Sequence, residues 1–163
     1  MGLLPQTRQL LLYTLWADRA VIDAIREVRP EDLAREAGVS FGSLLGTLVH
    51  VLGSERMWLS RFTGAAMPHR PTVEELPDFL SLAVAWEETA AELGAFLASL
   101  AEDQLAAEIT WTTTEGVVCT APLWQPVVHM VNHATYHRGQ VVSLLRQLGY
   151  QPPTTDMIWF FLK

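Results

Sequence analysis

Four stretches of this chain carry apolar residues at the spacing of a helix, and their lengths leave few architectures open. Apolar side chains recurring every three to four residues form a stripe that must leave water, and a long helix buries such a stripe best against others like it. The first stretch covers residues 5–28, with Leu11, Leu12, Leu15, Trp16, Ile22 and Ile25 on the stripe. Pro5 suits a first helical turn, and Arg29-Pro30 closes the segment. The second opens after Ser40, an N-cap residue type, runs through SLLGTLVHVLGSERMWLSRF and stops at Gly64. AAMPHRPT is a loop by its prolines, and a third helix follows over 77–100. The fourth spans 123–148, with Gly149 as its C-terminal stop.

Between the third and fourth stretches the texture changes. EITWTTTEGVVCTAP places β-branched residues on both sides of Glu115-Gly116, the pattern of a short β-hairpin over 107–121. The tail breaks at Pro152-Pro153, and its Ile158, Trp159, Phe160 and Phe161 predict a turn docked on the rest of the chain. The expected fold is therefore all-α: a four-helix bundle with a short β-hairpin insertion before the last long helix. With 163 residues, half of them apolar, one domain over 1–163 can bury a single sizeable core.

Charge narrows the partners. The balance of 11 basic against 18 acidic residues, a net −7, argues against nucleic acid, which needs a concentrated Lys/Arg face. No apolar run reaches the roughly 18–20 residues that cross a bilayer. The opening MGLLPQTRQLLLYTLWADRA lacks the ordered leader, apolar core and cleavage site of a signal peptide. Gln6 stands where a myristoylation signal wants Ser or Thr. The expected compartment is the cytoplasm. Cys119 is the one cysteine, so it has no internal disulfide partner, and it is expected as a small buried hydrophobe rather than a nucleophile.

Five histidines occur, three of them in the fourth helix at a spacing of four: His129, His133 and His137. Residues i and i+4 lie on one helix face about 6 Å apart along the axis, so two imidazoles so placed can converge on one ion. All three cannot share it, because His129 and His137 are roughly 12 Å apart in rise. Spacing leaves two pairings open, His129/His133 and His133/His137. A further ligand must come from another helix, and His50 is the other helical histidine, set among Leu48, Val49, Val51 and Leu52. His69, between Pro68 and Arg70, is expected to be exposed. The competing reading of these residues is a set of polar side chains satisfied by carboxylates or carbonyls.

These residues resemble the DinB/YfiT-like family of metal-binding four-helix bundles, part of a wider group with thiol-dependent transferases. The resemblance runs through YTLWADRAVIDAI, SFGSLLGTLVHVLGSERMWLSRFTG and PLWQPVVHMVNHATYHRGQVVSLLRQLG. NHATYHRGQ followed by LLRQLG is its most specific part. It implies one divalent metal on His50, His133 and His137, which leaves His129 to line a pocket or support the ligands. Arg138 and Gln140 fall in the matched motif without an assigned role. For Trp16, Trp58 and Trp124 core packing is the expectation, with pocket lining as the alternative.

Three neutral imidazoles leave coordination positions open, and zinc is the default, with nickel, iron or manganese also served by such ligands. The resemblance implies transfer of a low-molecular-weight thiol onto a small electrophile, in the manner of bacillithiol- or mycothiol-dependent relatives. Metal-dependent hydrolysis and non-catalytic, stress-associated metal or small-ligand binding are the alternatives. A small-molecule substrate, no nucleic acid, no membrane and a homodimer complete the expectations.

Overall fold

The computed structural model describes residues 2–162. Helix α1 (Leu3–Ile25) and the one-turn α2 (Pro30–Leu33) lead to α3 (Leu44–Thr63) and α4 (Phe79–Ser99). After the short α5 (Glu102–Ala106) come strands β1 (Glu108–Thr112) and β2 (Val118–Pro122), then α6 (Trp124–Gln147) and the one-turn α7 (Met157–Phe161). The fold is the expected one, mostly helical with a two-stranded hairpin before the last long helix. No helix among the described residues is long and apolar enough to cross a membrane.

Local chemistry sets the helix ends. Ser43, rather than Ser40, caps α3: its Oγ accepts from the Gly46 N–H at 3.0 Å. Both serines precede the same apolar run, and the two residues between them, Phe41 and Gly42, lie in a turn in which Gly42 takes φ +75°. Asp78 caps α4 through a capping box, accepting from the Ser81 N–H at 2.9 Å while the Ser81 hydroxyl accepts from the Asp78 N–H. Gly64 ends α3 in the left-handed conformation. Pro30 closes the first segment as expected, and it also opens α2 at N1.

The core divides along the bundle axis, and the division gives the topology. One cluster joins the C-terminal half of α1 (Val21, Ile22, Ile25) to the N-terminal halves of α3 (Leu44, Leu48, Leu52) and α4 (Leu82, Trp86) and the C-terminal half of α6 (Val141, Leu144). The other joins the opposite halves, through Leu11, Leu59, Leu93 and Val127 among others. Helices α1 and α6 therefore run one way and α3 and α4 the other. The parallel α3 and α4 need a long crossover, residues 64–78, and the α4–α6 connection carries α5 and the hairpin.

In the hairpin, Trp111 faces Cys119 across the antiparallel register, and Ile109 and Trp111 turn toward the core. Cys119 is only partly buried, a correction to its expected burial, because a two-stranded hairpin covers one face and leaves its rim in water. The tail docks in part. Phe160 packs 6.0 Å from the Tyr13 ring and 5.9 Å from the Trp16 ring, and Tyr13 donates to the Thr155 carbonyl at 2.9 Å. Ile158, Trp159 and Phe161 stay more than half exposed, since a single helical turn has one face to offer and Met157 and Phe160 occupy it.

Candidate metal centre

Helix α3 carries His50 and helix α6 carries His133 and His137, and the packing of these two helices brings the three imidazoles together. The Nε2 atoms of His50 and His133 lie 3.2 Å apart, as do those of His133 and His137. One potential ligand atom from each residue falls within 4.8 Å of the others. Three ring nitrogens bound to one ion at about 2.0–2.1 Å would sit about 3.3 Å apart in a tetrahedral site and about 2.9 Å apart at cis octahedral positions. The two 3.2 Å separations lie between those values and the third is within 4.8 Å, so the residues fit a divalent ion. Of the two pairings open to spacing, the fold assembles His133/His137.

The surroundings prepare these imidazoles to act as ligands. Gln140, three residues along α6, accepts a 2.7 Å hydrogen bond from His137 Nδ1. An amide oxygen only accepts, so Nδ1 carries the proton and Nε2 turns its lone pair toward the cluster. Phe41 stacks on His50 with ring centroids 3.8 Å apart and planes 15° apart. Its position depends on Gly46, where a Cβ would meet the Phe41 carbonyl oxygen at 1.9 Å. Burial above all, with the neighbouring imidazoles and Arg70 contributing, lowers the pKa of His50 and of His133 to about 4. Both rings are therefore neutral at pH 7, the form that binds metal.

Behind the cluster lies a buried polar seam. Arg138, next to His137, donates through Nη1 to Asp18 of α1 at 2.8 Å and through Nη2 to the Thr135 hydroxyl at 2.8 Å. Its guanidinium also sits 5.1 Å from the Tyr13 ring centroid. The pair is almost fully buried and ties α6 to α1 through Arg138, while the neighbouring face with His133 and His137 meets α3. Breaking such a pair by removing one partner costs about 3–5 kcal/mol. Glu55 is buried beside it; desolvation, then the Asp18 charge and a hydrogen bond to Asp18, raise its carboxyl well above the ordinary range.

The other histidines stay apart. His129 is exposed, 6.1 Å from His133 and 5.1 Å from Trp58 between ring centroids. His69 is exposed on the crossover and pairs with Glu75 at 3.0 Å. A cavity of about 220 Å³ opens beside the cluster, lined by His50, His133, His129, Trp58, Trp111 and Arg61 among others. Trp58 is thus both core and cavity wall, while Trp16 and Trp124 pack against the core. The sequence reading missed Phe41, Arg61, Arg70 and Trp111, which no helical period links to the histidines.

The model of the DinB family matches residues 3–162. This chain belongs to the DinB family. Protein DinB of Bacillus subtilis (strain 168) is similar to it, 28% identical over 158 residues that cover 88% of this chain and 87% of that protein. Among the described residues, the three histidines on α3 and α6 form a group that could hold a metal ion.

Proposed function

We propose that this DinB-family protein binds one divalent ion, zinc by default, on His50, His133 and His137. In this reading it transfers a low-molecular-weight thiol onto a small electrophile in the cytoplasm. The observation that carries the proposal is the convergence of three imidazoles at the edge of an accessible cavity. A bound divalent ion would supply the charge that keeps a thiol deprotonated at neutral pH.

The chain's own residues supply placement. Gln140 fixes the His137 tautomer, Phe41 covers one side of His50, and Trp58 and Trp111 give the cavity an apolar wall. In the transfer the thiol gives its proton to solvent and its sulfur bonds to the electrophilic carbon. The bond from that carbon to its leaving group breaks, and the electron pair departs on the leaving group. Cys119 lies outside the cavity lining, so the scheme does not use it.

The test compares the zinc-loaded protein, His133→Ala and Cys119→Ser in one conjugation assay with several thiols and an aryl halide. Activity kept by Cys119→Ser, and lost both on chelation and in His133→Ala, is the expected result. Thiol-dependent rates that survive chelation overturn it, as does ester or amide cleavage without thiol turnover.

We also propose a homodimer. Its support is the apolar surface where Phe161 meets Pro5 and Leu10 of α1, beside the exposed Ile158 and Trp159.

A further inference from the structure

The chain has 18 acidic residues and 11 basic ones, yet two of the basic ones, Arg61 and Arg70, line the cavity beside the histidines, and no Asp or Glu lines it with them. Elsewhere Arg19, Arg26, Arg29, Arg35, Arg56 and Arg138 each lie within ion-pair distance of a carboxylate, while Arg8 and Arg146, away from the cavity, do not. Among the described residues Arg61 and Arg70 have no such partner.

Arg61 extends from the last turns of α3 and is held in place. Its Nη2 donates to the Thr112 carbonyl at 2.9 Å, and its guanidinium lies 4.6 Å from the Trp58 ring centroid. Its Nε is buried and has no hydrogen-bond partner among the described residues. Arg70 comes from the crossover and is exposed. Burial, then the Arg70 charge, pull the Arg61 guanidinium below its ordinary value, and the same Arg70 charge acts on His50 and His133. Two like charges thus face one small cavity, and a divalent ion on the three histidines would add two more. The rim adds the hydroxyl-bearing Thr113 and Thr114, and no anionic side chain. Such a field is satisfied by an anion brought from outside, and a guanidinium stacked on an aromatic ring presents a planar fork suited to a carboxylate.

We infer that Arg61 and Arg70 form an anion subsite, so that the small molecule reaching the three histidines carries a carboxylate at its far end. For that molecule's other end the inference rests on the thiol reading above, and it narrows the substrate to carboxylate-bearing thiols.

The test titrates cobalt-loaded protein with N-acetylcysteine and with its neutral amide, following the sulfur-to-cobalt absorption band. Wild-type protein should prefer the acid, and Arg70→Gln and Arg61→Gln should each weaken acid binding about tenfold while leaving the amide unchanged. Arg61→Lys should recover part of the preference. Arg70 is exposed, so Arg70→Gln decides the matter even where Arg61→Gln fails to fold. An acid-to-amide ratio equal in wild type and variants overturns the subsite while the band itself upholds the thiol reading. If neither compound gives the band, the thiol reading falls. Calorimetry of metal-free protein with inorganic phosphate then decides: binding weakened about tenfold by Arg70→Gln supports the subsite, and no binding or no difference overturns it.

Discussion

His137 donates its Nδ1 proton to Gln140 across 2.7 Å, less than one turn along the same helix. The bond fixes which nitrogen of His137 is free for a metal. Gln140→Ala should keep the fold and weaken metal affinity about 10–100-fold, read by competition with a chromogenic chelator. Affinity equal to wild type would remove Gln140 from the site.

Protein purified without chelator should carry about one divalent ion per chain. Replacing His50, His133 or His137 by Ala should each strip it, while His129→Ala should retain most of it, as measured by elemental analysis. Loss of metal in His129→Ala with retention in His137→Ala would show that the fold's pairing is not the one used.

Acid should compete poorly for the site. A metal displaces protons from imidazole, and His50 and His133 take up protons only near pH 4 rather than at the ordinary 6.5. Proton competition from these two rings should therefore be weak from pH 7 to about 5 and set in near 4, where metal affinity should fall most steeply. A fall centred near the ordinary imidazole value, followed by chelator competition across pH, would contradict this.

The carboxyl of Glu55 works in the opposite sense. Its folded pKa is raised above the unfolded 4.5, so above that pH the folded state holds a proton that the unfolded chain has released. Its contribution to stability should fall as pH rises from about 4.5 and level off above the folded pKa. The depressed histidines oppose it between pH 4 and 6.5, so the quantity to measure is the difference between wild type and Glu55→Gln. In urea melts the variant should gain relative stability as pH rises, and parallel curves would show that folding leaves the Glu55 carboxyl at its ordinary pKa.

Light scattering should give twice the chain mass at micromolar concentration, and Trp159→Glu with Phe161→Glu should return it to one chain. A concentration-independent monomer mass would refute the dimer.

The helices were legible because long apolar periods have one solution, and the hairpin because Glu115-Gly116 sits between two β-branched runs. The His133/His137 choice was not legible in spacing, since His129/His133 obeys the same four-residue rule. What separates them is how α6 packs on its neighbours, with Arg138 meeting Asp18 of α1, 120 positions away in the chain. Ser40 reads as the cap of the second helix, and the Gly42 turn instead hands that place to Ser43, the same residue type three positions on. Arg61, Arg70 and Trp111 come from a helix end, a crossover and a strand, so no local pattern unites them.

One wall of the cavity comes from outside the bundle. Trp111, Thr113 and Thr114 belong to the hairpin, whereas every histidine of the cluster stands on α3 or α6. The hairpin is tied to itself by its own ladder and to the bundle chiefly through Ile109, Trp111 and the Arg61–Thr112 bond. Its length and side chains can therefore drift, or be exchanged, with little disturbance to the helices beneath. A lineage built on this plan can acquire new substrates by rewriting some ten residues while inheriting its reactive centre intact.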